Sequence, residues 1–190
     1  MYKNIILCGV GGQGTVLASK LIAAAAMAKD IPVMSAETIG MAQRGGSVFS
    51  HLRLGNNLHS PMIALGTADI IVGFEPAETV RMLPYLKKNG YVVVSSRPIM
   101  PVTSALKGSS YNGREMIDYL RRHVKNLIVV DSDKACQEIG SAKALNIVLL
   151  GAAVRSGVLD ITEEDIKTAI QNKVDPKFHA MNFKALAYVK

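Results

Sequence analysis

Gly9-Val10-Gly11-Gly12-Gln13-Gly14 fits the pattern G-x-G-x-x-G, set between a short apolar run (NIILCG, Asn4 to Gly9) and an alanine-rich stretch that begins at Thr15. Glycines allow the tight turn, leave backbone N–H groups open, and lead into a helix N-terminus that favours an anion. Glu37 follows about 20 residues on, at the end of the next apolar run, where a ribose-binding acid would sit in a dinucleotide site. The turn therefore reads in two ways. It is a nucleotide or phosphate cradle, or it is a glycine-lined surface that another chain's backbone approaches closely; Gly12 and Gln13 suit either.

Ala36 to Gly46 (AETIGMAQRGG) is the second concentration of chemistry. Arg44 offers a planar, permanently charged donor fork for carboxylate or phosphate. Gln43 and Ser47 add uncharged hydrogen bonds, Gly45-Gly46 permits positive φ, and Glu37 and Met41 complete the candidates. A solvated loop with a tight turn is the plain alternative. Glu75, in Gly73-Phe74-Glu75-Pro76, caps the helix that Pro76 opens, or faces a ligand or partner on the same rim.

No residue is expected to be catalytic. His51 and His59 have no acid or cysteine at metal-ligand spacing, and Cys8 lies inside an apolar run, so structural roles are expected. Ser95-Ser96 and Ser109-Ser110 lack a nucleophile-elbow context. Two cysteines, Cys8 and Cys136, exclude a disulfide scaffold, a four-thiolate zinc site and a self-contained cubane cluster. There is no GDG segment for thiamine diphosphate and its metal, and no Walker lysine.

These loops need a frame. Asn4–Gly9, Ile31–Ala36, Asp69–Phe74, Tyr91–Ser95 and Asn126–Asp131 read as short buried strands; Thr15–Lys29, Pro76–Lys88, Glu115–Val124, Lys134–Ile139, Ala142–Arg155 and Thr162–Gln171 read as helices. Lys87 and Lys88 followed by Gly90 read as a helix end. Thr162 and Asp165 approximate a capping box. Ser47–Leu54 alternates, with Phe49, His51 and Arg53 on its polar face, which predicts a half-exposed edge strand or hairpin arm. Arg97–Gly113 reads as a long functional loop. Strands alternating with helices predict an α/β, Rossmann-like, three-layer fold: a mostly parallel sheet with helices on both faces. In such a fold the two glycine-bearing loops leave adjacent strands and meet at the rim.

The length of 190 residues fits one domain. Lys3 is followed by only a short apolar run, so no signal peptide is expected; no run of about 18 apolar residues predicts a membrane span, and a reducing cytoplasm is the expected home. The net charge of +7 raises nucleic acid as a partner, but the basic residues are scattered, and the densest group (Arg121, Arg122, His123, Lys125) has no stacking motif beside it. Charged residues make up 19%, below the usual ~25%, and with nine methionines this fits a surface partly covered by another chain.

GVGGQGTVLASKLIA, ETIGMAQRGGSVFSHLRLG, ADIIVGFEPAETVRMLPYL and NIVLLGAAVRSGVL together, in this order and spacing, resemble the gamma-type domain of 2-oxoacid:ferredoxin oxidoreductases. The resemblance runs from about Asn4 to Gln171. It implies a subunit of a complex that oxidatively decarboxylates a 2-oxoacid to an acyl-coenzyme A and passes electrons to ferredoxin. The MAQRGGSV wording is most similar to members acting on indolepyruvate and related arylpyruvates, with pyruvate or 2-oxoglutarate as the alternatives. The resemblance also implies that thiamine diphosphate, magnesium and 4Fe–4S clusters sit on a larger partner subunit. This chain would be required but inactive alone. Its Gly9–Gly14 turn, with Arg44, would hold coenzyme A phosphates or shape the interface. A free-standing NAD-binding protein remains the competing reading from G-x-G-x-x-G and Glu37.

Overall fold

The computed structural model describes residues 2–37, 45–100 and 111–189. Six strands form one sheet: β1 (Tyr2–Val10), β2 (Val33–Glu37), β3 (Ser47–Gly55), β4 (Ala68–Gly73), β5 (Leu86–Ser95) and β6 (Asn126–Val130), in the order β2-β3-β1-β4-β5-β6. β1, β4, β5 and β6 run parallel, and β3 runs antiparallel to both its neighbours. The apolar runs place Ile5 and Leu7 on one face and Ile6 and Cys8 on the other, all fully buried. That is the signature of strands covered on both sides.

One face carries α1 (Thr15–Met27) and α5 (Leu145–Arg155), backed by α4 (Ser132–Ile139), α6 (Glu163–Lys173) and α7 (His179–Leu186). The other carries α2 (Pro76–Met82) and α3 (Arg114–His123). α5 is apolar all round because it is buried all round: every residue from Leu145 to Val154 is inside. The expected three-layer α/β fold is therefore present, with helices on both faces.

Three expectations need correction. Ser47–Leu54 is a hairpin arm, paired antiparallel with β2, but neither an edge strand nor half-exposed. β3 lies between β2 and β1, and His51 is buried because Ile63, in the β3–β4 connection, covers it and donates its N–H to His51 Nδ1 at 2.9 Å. Arg53 is bound in the same way, donating to Asn4 Oδ1 at 3.0 Å and to the Ser60 carbonyl at 2.6 Å. Second, Pro76–Lys88 is not one helix. α2 ends at Met82, a 3₁₀ turn spans Leu83–Tyr85, and Lys87, Lys88 and Gly90 belong to β5. Pro84, with no N–H to donate, stops the helix. Gly90 allows close packing, since a Cβ there would lie 2.6 Å from Leu86 Cδ1. Third, β1 and β2 are not adjacent, because β3 is inserted between them.

Candidate functional site

The glycine turn is fastened from its own side chain. Gln13 Oε1 accepts the Val10 N–H at 2.7 Å, and Gln13 Nε2 donates to the Phe74 carbonyl at 2.7 Å. One amide thus ties the ends of β1 and β4 together, across the point where the chain's crossovers change direction. Gly9 must be glycine for this, because a Cβ would meet Gln13 Oε1 at 2.6 Å and Phe74 Cβ at 2.8 Å. Gly11 N–H donates to the Gly46 carbonyl at 2.8 Å, and Gly45 N–H to the Gly11 carbonyl at 3.4 Å. The two glycine-bearing loops do meet, but through the start of β3 rather than the end of β2.

Beyond Gly11 the turn opens. Gly12 (φ +100°) is exposed, with no atom within 4 Å of the place its Cβ would occupy. Gly14 (φ +82°) is the N-cap of α1, which has no side-chain cap and no acidic residue in its first turn. Its first amides therefore face outward with the positive end of the helix dipole behind them. Gly12 and Gly14 line a cleft of about 480 Å³ with Gln13, Arg97, Pro98, Ile99, Lys143 and Asn146, a size in the range of small-ligand sites. Lys143 has no carboxylate partner among the described residues, and Arg97 has only Asp133, at 3.8 Å. Asn146 is 5% exposed and packs under Gly14. The arrangement can hold an anion: unpaired N–H groups, a helix N-terminus and two cationic side chains converge on one space.

Two larger hollows, of about 600 and 680 Å³, lie away from the glycine turn. One sits between the start of β5 and the end of α3, and the other between α1 and α6. Neither combines free backbone donors with the carboxyl ends of the parallel strands, so the smaller cleft is the stronger candidate. Arg121, Arg122, His123 and Lys125 lie at the opposite end of the sheet, the first three in the last turn of α3, where cations oppose the dipole.

The remaining sequence candidates divide. Ser47 Oγ donates to Glu78 Oε2 at 2.5 Å and joins β3 to α2. Glu37 ends the edge strand β2, opposite Ser50. With β3 inserted it is about 10 Å from β1, two strand spacings, rather than on the neighbouring strand where a ribose-binding acid belongs. The pairing of G-x-G-x-x-G with Glu37 that favoured NAD is thus taken apart. Met41, Gln43 and Arg44 lie outside the described residues. Glu75 is 1% exposed and does cap α2, accepting the Glu78 N–H at 3.0 Å.

Arg97, Lys143 and Asn146 were not singled out in the sequence. Arg97 lies two residues after the end of β5 and so had a positional signal. Lys143 and Asn146 had none, because they arrive from the start of a distant helix.

The family model described as pyruvate ferredoxin/flavodoxin oxidoreductase matches residues 4–189. The chain is 37% identical to the indolepyruvate oxidoreductase subunit IorB of Archaeoglobus fulgidus, over 98% of this chain and 92% of that one. It is 36% identical to the protein of the same name from Pyrococcus horikoshii, over 96% and 91%. Its fold is similar to that of a 2-oxoglutarate:ferredoxin oxidoreductase from Magnetococcus marinus solved with 2-oxoglutarate, coenzyme A and succinyl-CoA bound. The TM-score is 0.70 at 19% identity, over 98% of this chain and 30% of that one. A family match over nearly the whole length, joined to relatives above one-third identity, establishes that this chain belongs to the pyruvate ferredoxin/flavodoxin oxidoreductase family.

Proposed function

We propose that this chain is the smaller subunit of an indolepyruvate:ferredoxin oxidoreductase, inactive alone, and that its cleft at the α1 N-terminus receives the phosphates of coenzyme A. The names of its relatives support an arylpyruvate substrate. In the overall reaction the 2-oxoacid loses carbon dioxide, its acyl carbon joins the thiol of coenzyme A, and both electrons pass to ferredoxin. Thiamine diphosphate with magnesium, carried by the larger partner, supplies the chemistry that breaks the carbon–carbon bond, and the partner's 4Fe–4S clusters carry the electrons.

This chain's own residues have a different task. The N–H groups of Gly12 and Gly14 donate to phosphate oxygens, and Arg97 and Lys143 neutralise their charge. Binding energy gathered on the nucleotide end of coenzyme A holds its thiol in place for acyl transfer. The observation that carries this reading is the uncapped N-terminus of α1, which faces a cleft flanked by Arg97 and Lys143.

The test is steady-state kinetics of the complex assembled from both subunits. Arg97→Ala and Lys143→Ala are each expected to raise the KM for coenzyme A about tenfold, or about 1.4 kcal/mol. The KM for indolepyruvate should stay within twofold. Unchanged coenzyme A kinetics in both variants would contradict the reading and leave the turn as an interface element only.

A further inference from the structure

Glu75 does more than cap a helix. Short side chains (Ser, Thr, Asp, Asn) are the usual N-caps, and one oxygen is enough for the task. Glu75 uses Oε2 for the cap, accepting the Glu78 N–H at 3.0 Å. Its other oxygen faces elsewhere. Oε1 accepts the hydroxyl of Tyr111 at 2.6 Å and the backbone N–H of Ile99 at 3.4 Å. The Tyr111 hydroxyl in turn accepts the Ala77 N–H at 3.1 Å.

The carboxylate is 1% exposed, so these donors, rather than water, are what satisfy it. Burial, followed by the Glu75 carboxylate itself, pushes the Tyr111 phenol far above its ordinary value, which keeps it protonated and donating.

Ile99 and Tyr111 belong to the segment that leaves β5 and the segment that enters α3. A third contact locks the two together: a Cβ at Gly113 would lie 3.1 Å from Pro98 Cβ and 3.3 Å from Pro76 Cγ. Arg97 sits immediately before this clasp. Its own N–H is held by Ser95 Oγ at 3.1 Å, and Arg97, Pro98 and Ile99 form one wall of the cleft over Gly12 and Gly14. The backbone of the wall is therefore pinned on both sides of Arg97, by Ser95 before it and by Glu75 after it.

We infer that Glu75 and Tyr111 are positioning residues for the anionic ligand of the cleft, acting through Arg97. The pair fixes where the Arg97 guanidinium stands relative to the α1 N-terminus and touches no ligand itself. This rests on the reading of the cleft given above.

The experiment is a double-mutant cycle in the assembled complex, with Tyr111→Phe, Arg97→Ala and the two combined, and with Glu75→Gln as a second way to weaken the clasp. Each is assayed for the KM of coenzyme A, the KM of indolepyruvate and kcat. Tyr111→Phe keeps the ring and removes only the hydroxyl. It should raise the coenzyme A KM three- to tenfold while kcat and the indolepyruvate KM stay within twofold. In the Arg97→Ala background the same change should add less than twofold, because the group it positions is gone. Glu75→Gln should shift the same parameter in the same direction.

A merely structural role would lower kcat, through loss of active complex, and leave the coenzyme A KM alone; that result overturns the inference. So does a Tyr111→Phe effect of equal size with and without Arg97. An Arg97→Ala variant with wild-type coenzyme A kinetics overturns this inference, and the cleft reading falls as well only if Lys143→Ala is equally silent.

Discussion

Gly12 and Gly14 lie two residues apart in the same turn, both at positive φ, yet they answer to different constraints. A Cβ on Gly14 would stand 2.6 Å from Asn146 Nδ2, while one on Gly12 would meet nothing within 4 Å. Gly14→Ala combines backbone strain with overpacking and should cost about 2–4 kcal/mol. Gly12→Ala carries the left-handed backbone term alone, about 1–2 kcal/mol. Denaturant unfolding of the two variants checks the order, and equal costs would show that Asn146 does not press on the turn. Gly73 is tighter than either, because its Cβ would fall 1.7 Å from Thr79 Oγ1, whose hydroxyl is bonded to the Glu75 carbonyl. G-x-G-x-x-G marks Gly14 but neither Gly12, one of its variable positions, nor Gly73, and it does not separate their reasons. Gln13 is the clearest case: its type was noted, but its bond to the Phe74 carbonyl spans 61 residues and has no local signature.

Among the elements, α6 was the most legible. Thr162 and Asp165 form a full capping box: the Asp165 N–H donates to Thr162 Oγ1 at 3.2 Å and the Thr162 N–H to Asp165 Oδ2 at 2.8 Å. Thr162→Ala should lower stability by about 1 kcal/mol, measurable as a shift of the denaturation midpoint. Partial burial opposes the charge on Asp165, but the Thr162 N–H and Oγ1 contacts and Lys29 Nζ at 3.0 Å win, and hold its carboxyl below the ordinary value. A depressed carboxylate stabilises the fold fully above its unfolded pKa of about 4 and stops doing so as the pH falls through the folded value. Acidification from about pH 6 to about pH 3 should therefore destabilise the wild type more than Asp165→Asn. An identical acid loss in both proteins would count against this contact. β3 was the least legible element. Its His51 and Arg53 look solvent-facing in a single-strand pattern, and only the β3–β4 connection, folded back over the strand, reveals that they are bonded and covered. The insertion of β3 between β1 and β2 was equally hidden, because local alternation carries no information about strand order.

For the molecule as a whole, the parallel strands gather the candidate features among the described residues at one end of the sheet: the glycine turn after β1, Glu75 after β4, Arg97 after β5, and the start of β3 beside them. The α/β fold and its family were legible from four motifs in order. The cleft was legible only on its glycine side, since Lys143 and Asn146 reach it through tertiary packing. Under the proposed function these features complete the active centre of another subunit. The most direct measurement is ferredoxin reduction by the purified larger subunit, with indolepyruvate and coenzyme A present, as this chain is titrated in. Each protein alone should give no turnover, and activity should rise to a plateau at a fixed subunit ratio. Full-rate turnover by the larger subunit without this chain, or by this chain without it, would contradict the account.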